Sequence, residues 1–202
     1  MSRGLGDVYK RQVSLTSYAV NPVINIVIML LIIIGGIGFF TWEDIYLHNF
    51  HFKHYHMQSK VILTTTLCLI LLPAVFFFFQ DYGNLSGIHR LLASLFQAVT
   101  PRTAGFNTTD LSMLTGASKA MMILLMLIGG SPSSTAGGMK TTTFALLLLN
   151  VLATFQSCDD VTAFGRRIDV GMIKNAATIA MMYFILFFAG GMTISVLSLI
   201  HI

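Results

Sequence analysis

Apolar positions along this chain fall into long unbroken blocks, not into the alternation of a strand or the narrow stripe of a surface helix. Residues 23–40 are eighteen residues without a charge, closing in Gly35-Gly36-Ile37-Gly38 before the polar Trp42-Glu43-Asp44. At ~1.5 Å per residue such a helix is roughly 27 Å long, about one hydrocarbon core. Residues 61–79 form a second block of nineteen, interrupted only by Pro73. A lipid-embedded helix tolerates proline where neighbours re-satisfy the backbone. The phenylalanines at 76–79 are expected at its lipid-facing or interfacial end, and residues 175–196 make a last block with Gly190-Gly191 near its far end.

The remaining apolar pieces are too short to cross alone. Residues 88–99 are a twelve-residue amphipathic stretch, followed by Thr100-Pro101-Arg102-Thr103-Ala104-Gly105-Phe106-Asn107-Thr108. A half-length helix followed by non-helical chain predicts a re-entrant dip. Residues 117–128 and 141–153 flank a segment rich in glycine and hydroxyls, which predicts one discontinuous helix with a flexible interior. Four spans and one dip define the expected fold class, an all-α polytopic membrane protein. Residues 43–60 and 159–174 are its polar, water-facing connections.

Composition agrees. Of 202 residues, 55% are hydrophobic and only 10% charged, with a mean hydropathy of +0.78, against roughly 25% charge in a soluble domain. A secreted disulfide scaffold, a disordered tail and a wholly solvated enzyme are excluded. Cys68 and Cys158 sit in unlike settings and suit neither a disulfide framework nor a zinc site. The net charge of +4 makes no basic stripe, so nucleic acid is not an expected partner. Arg3, Lys10 and Arg11 crowd into residues 1–12, which with 197–202 read as non-native scars. Lys53, Lys60, Arg166, Arg167 and Lys174 on the two polar connections outnumber Arg90, Arg102 and Lys119 opposite, so those connections are expected in the cytosol.

Passing a dehydrated cation needs oxygen ligands at fixed spacing without an anionic trap. Thr103, Ala104, Gly105 and Phe106 meet that need through main-chain carbonyls, because Gly105 accepts a positive φ at no steric cost. The preceding short helix would aim its negative end at the same place. The histidines at 48, 51, 54 and 56 do not share one helical face and Lys53 intervenes, so they read as a solvated loop and not as a metal site. Asp159 and Asp160 read as solvation, and the sequons at Asn84 and Asn107 as chance. No nucleophile, base and orienter stand at catalytic spacing, so no enzyme and no bound cofactor are expected.

Two longer motifs carry a resemblance. SLFQAVTPRTAGFNT at 94–108 resembles a selectivity-filter repeat of the Trk/Ktr/HKT superfamily of potassium transporters. IGGSPSSTAGGMKTTT at 128–143 resembles the intramembrane loop after the third filter of its bacterial pore-forming subunits. The resemblance implies potassium uptake across the inner (cytoplasmic) membrane by four membrane-pore-membrane repeats. Residues 13–60 would end the second repeat, 61–155 form the third, and 156–196 begin the fourth, so the chain would be a piece of a longer protein.

The resemblance further implies K⁺ held by carbonyls of Thr103, Ala104 and Gly105, with Phe106 closing the filter. A gate would be built from Gly129, Gly130, Ser131, Ser133, Ser134, Thr135, Gly137, Gly138 and Lys140, with Lys140 either repelling cations, pairing with a carbonyl or snorkelling to the interface. Ser133 stands where the family usually shows glycine, and Met139 where isoleucine is common. The implied partners are the lipid bilayer, a second full-length subunit and a cytosolic ring of nucleotide-binding regulatory subunits, with Lys53, Arg166 and Arg167 as contacts. A solute carrier with a discontinuous helix and a non-conducting assembly subunit are the competing readings.

Overall fold

The structure, a computed structural model, describes residues 21–83, 85, 87–102, 104–108, 114–157 and 160–200. Helix α1 (Pro22–Ile37) is started by Asn21, whose side chain accepts the Val23 N–H at 3.1 Å. It is followed by α2 (Phe39–Leu47), α3 (Met57–Gln80), α4 (Gly87–Val99), α5 (Gly116–Leu127), α6 (Thr141–Phe155), a short hairpin of β1 (Thr162–Ala163) and β2 (Arg166–Arg167), and α7 (Val170–Ile200). Two of these, α3 and α7, are long and apolar enough to cross a membrane alone. The molecule is an all-α, multi-pass membrane protein with one token of sheet.

Three expectations need correction. The first block does not run straight to residue 40, because the chain turns by 91° at Gly38 and α2 leaves at a right angle. Phe39 and Phe40 are 70% and 67% exposed, which fits an aromatic helix lying along an interface. Phe77 is not lipid-facing: it is wholly buried with Ala74, Ala98, Met122 and Leu125 while Phe79 is exposed. Consecutive helical residues are spread around the axis, so a run of four phenylalanines cannot share one face. Finally, residues 159–174 are no plain loop. Phe164 and Gly165 both take positive φ (48° and 76°) and turn β1 into β2, with Thr162 opposite Arg167, a two-residue hairpin geometry. Asp160 pairs with Arg167 at 2.7 Å on the surface, while Asp159 lies outside the described residues.

Helix α3 is the mast of the fold, packed by α1, α2, α4, α5 and α6. At one end Val61 joins Ala145, Val161 and Ile168; midway Ile70 joins Met29, Phe96 and Val99. Both ends are held by polar contacts that answer its unpaired backbone groups. Asp81 accepts from Thr115 N–H at 3.1 Å and from the Ser118 hydroxyl, fastening the end of α3 to the start of α5. The Phe78 carbonyl takes two N–H groups of Arg90, at 2.9 and 2.6 Å, and the guanidinium lies 4.0 Å over the Phe78 ring. At the other end the buried Asp44 carboxylate accepts the His56 N–H at 2.9 Å. Burial alone would raise that carboxyl, but hydrogen bonds from Ser59 and His56 outweigh it and hold the group at about 2. The ring of Phe52 meets that of Phe164 edge-on at 6.3 Å, so both polar connections share one side of the molecule.

Candidate functional site: a glycine turn facing a glycine loop

Helix α4 stops after Val99, and Thr100 then holds the following turn at both ends. Its carbonyl accepts the N–H groups of Ala104 and Gly105 at 3.3 and 3.2 Å, and its hydroxyl donates to the Phe106 carbonyl. Gly105 sits at φ +71°, which swings its peptide out of the helical direction. Among the described residues nothing donates to the Ala104 or Gly105 carbonyl. The Phe106 carbonyl, by contrast, is already engaged by Thr100. Thr103 lies outside the described residues. Arg102 is 6% exposed, and among the described residues its Nε and Nη2 have no partner. The α4 carbonyl end and this guanidinium therefore act on the site with opposite signs.

Between α5 and α6 the chain leaves and re-enters through a narrow neck. Gly129 N–H donates to Met139 O at 2.9 Å, Met139 N–H to Leu127 O at 3.2 Å, and Thr141 N–H to Gly130 O at 3.1 Å. The bridge between Ile128 and Met139 is parallel, so the chain leaves the loop heading as it entered. Ser131 and Thr141, both fully buried, pair their hydroxyls at 3.0 Å across the neck. Of the readings open for Lys140, pairing with a carbonyl is the one the contacts show: its Nζ donates to Ala136 O at 3.0 Å inside the loop.

The loop in turn caps α1, whose last carbonyls have no helical partners. Ser131 N–H reaches Gly36 O at 2.9 Å and Thr135 Oγ1 reaches Gly35 O at 3.4 Å, while the Trp42 indole serves Ile34 O at 3.0 Å. Phe39 N–H, the first of α2, donates back to Ser133 O at 3.1 Å. Of the nine gate-loop positions, Ser133, Thr135 and Gly137 are exposed and Gly129, Gly130 and Ser131 are buried in the neck. Arg102 and Ala104 of the turn, Thr135 and Ala136 of the loop, and Gly35 and Gly36 at the end of α1 line one cavity of about 180 Å³. Thr100, Gly35 and Gly36 stand in the quoted motifs without a site role of their own; they act through backbone carbonyls or a single hydroxyl, which leave no pattern of residue types.

Ser133 takes φ +59°, a left-handed value that costs a side-chain-bearing residue roughly 1–2 kcal/mol. Glycine relieves that strain while adding about 0.5–1 kcal/mol of unfolded-state entropy. Ser133→Gly is therefore expected to raise the thermal midpoint of the full-length subunit in detergent by up to a few degrees, and Ser133→Val to lower it. A lower midpoint for the glycine variant counts against the strain.

An all-α chain with long apolar helices, a half-length helix leading into a glycine turn and two apolar helices joined by a closed glycine-rich loop is a membrane protein. The TrkH family of cation transport proteins matches residues 10–201, and the chain belongs to it; these proteins are transporters, not enzymes. Among curated relatives it is similar to Ktr system potassium uptake protein B of Bacillus subtilis (strain 168), 35% identical over 183 residues, which cover 88% of this chain and 41% of that protein. It is similar to the protein of the same name in Vibrio alginolyticus, 33% identical over 118 residues, 54% of this chain and 26% of that one. Potassium/sodium uptake protein NtpJ of Enterococcus hirae is 34% identical over 171 residues, covering 82% and 38%. The chain thus spans about two fifths or less of the length of these relatives.

Proposed function

We propose that the chain is the middle part of the pore-forming subunit of a potassium uptake system in the cytoplasmic membrane. The observation that carries this reading is Gly105 at φ +71° in a turn held by Thr100, whose Ala104 lines a small cavity together with Thr135 and Ala136 of the glycine-rich loop. The carbonyls of Ala104 and Gly105, with that of Thr103, replace hydration oxygens of K⁺, and matching segments of sister repeats complete the ring. The engaged Phe106 carbonyl frames the turn instead of binding the ion. The loop at 129–140 obstructs the path beneath, and its ties to Gly35, Gly36 and Phe39 set how readily it moves. Inward flux is driven by the membrane potential, worth ~2.3 kcal/mol per charge per 100 mV.

The full-length subunit pairs as a homodimer on a cytosolic ring of nucleotide-binding regulatory subunits. Supporting this, the turn bearing Lys53 and the hairpin bearing Arg166 and Arg167 lie side by side through Phe52 and Phe164, which are 43% and 51% exposed. Aromatic side chains ringed by cations suit a protein partner. Rubidium uptake by the full-length protein in potassium-deficient cells tests the reading. Uptake that saturates and is competed by K⁺ is expected; no uptake overturns it, and saturable uptake of an organic solute instead would make the protein a solute carrier.

A further inference from the structure

On the side carrying the polar connections, three metal-ligating side chains converge from two helices. Asp44 and His48 are four residues apart at the end of α2 and share one face; His56 stands at the start of α3. One ligand atom of each lies within 4.8 Å of the others. His56 Nδ1 approaches Asp44 Oδ1 at 2.8 Å and His48 Nδ1 approaches the same oxygen at 3.0 Å. The second carboxylate oxygen is occupied by the His56 N–H, which fixes the carboxylate while leaving Oδ1 aimed between two imidazoles. The chain reaches this arrangement through Asn49 and Phe50, both at positive φ (46° and 61°), and a strained turn of this kind collects at ligand sites.

We propose that Asp44, His48 and His56 form a binding site for a divalent transition-metal ion of the zinc class. Two imidazoles and one carboxylate select against Ca²⁺ and Mg²⁺, which prefer all-oxygen shells, and suit Zn²⁺ with a fourth position left to water. Metal–ligand bonds of about 2.0–2.2 Å in a tetrahedron set ligand atoms roughly 3.4 Å apart. The present spread therefore needs to close by little more than an ångström, which rotation of His56, 77% exposed, supplies. That exposure is also the entry path, and a cavity of about 290 Å³ beside Asp44 and His56, lined further by Glu43 and Gln58, gives the fourth ligand room. An ion here joins α2 to α3, and α2 is the element whose first N–H holds the Ser133 carbonyl.

The site stands on the fold alone, so its failure leaves the potassium reading intact, and the reverse. The test is titration of the metal-stripped, full-length subunit in detergent with Co²⁺, followed by its visible absorption, and with Zn²⁺ by calorimetry. One equivalent with tetrahedral Co²⁺ bands is expected, weakened at least roughly tenfold in His48→Gln and in His56→Gln, and unchanged in the double variant His51→Gln, His54→Gln. Because the His48 ring also bonds Asp44, each variant is melted without metal as well, and weakened binding counts as loss of the site where the Zn²⁺-induced rise in midpoint seen in the parent disappears from the variant's own metal-free baseline. No binding by the parent, unchanged binding in His48→Gln, or loss in the 51/54 double variant overturns the proposal.

Discussion

Replacing Gly105 by serine is expected to lower rubidium uptake by roughly 5- to 30-fold at equal protein level, the consequence of about 1–2 kcal/mol of main-chain strain. The effect is confined to the backbone, because a Cβ built on Gly105 meets nothing within 4 Å. Space is available; conformation is not. At φ +71° a side-chain-bearing residue is strained, and relief comes by turning the peptide back, which swings the Ala104 and Gly105 carbonyls off their present directions. The variants should therefore rank by tolerance of left-handed backbone: asparagine least damaged, alanine and serine next, valine worst. Initial uptake rates normalised to immunoblotted protein would check the order. A valine variant as active as the asparagine variant would show that this turn's geometry does not set transport.

The elements that hold the site were legible to the extent that each is a property of one segment. The blocks at 61–79 and 175–196 lie inside α3 and α7, residues 88–99 coincide with α4 apart from Gly87, and the two pieces expected to make one broken helix are α5 and α6. Burial of an apolar run in lipid or core needs no knowledge of its neighbours, which is why periodicity and length suffice there. The bend at Gly38 was not legible. Phe39 and Phe40 continue the apolar run, and only the Phe39 N–H to Ser133 carbonyl contact, between residues 94 apart, shows why the chain turns. Likewise Thr135 reaches Gly35 across 100 residues.

The convergence of His48 and His56 on Asp44 was not legible for a related reason. Spacing along one helix excludes a shared face for 48, 51, 54 and 56, yet the turn through Asn49 and Phe50 brings His56 of the next element onto the face that Asp44 and His48 already share. Asp44 itself gave no signal, since a carboxylate in a polar stretch looks solvated until its burial and its bonds to His56 are seen. The loop at 129–140 divides in the same way. Its small and hydroxylated residues announce a close-packed, non-helical segment, whereas its parallel neck and its role in capping α1 arise from backbone groups that every residue type carries.

The neck yields the prediction with the largest effect on folding. A Cβ on Gly129 would lie 1.6 Å from the Gly137 carbonyl oxygen and 2.7 Å from its carbon, and both are main-chain atoms with no rotamer to escape into. Gly129→Ala must therefore break the Gly129 N–H to Met139 carbonyl bond or push the whole loop away from the end of α1. Overpacking of well-fitted sites costs about 1–3 kcal/mol, and a clash with backbone belongs at or above the top of that range. Loss of the neck also strips the Gly35 and Gly36 carbonyls of their partners. Gly137→Ala is the matched control, since a Cβ there meets nothing within 4 Å and its φ is not left-handed. The expected result in full-length protein is a Gly129→Ala variant that is scarcely recovered as a monodisperse detergent complex, or is cleaved by protease within residues 129–140, beside a Gly137→Ala variant that matches the parent in yield and melting. If the two behave alike, the narrow neck is not what closes this loop.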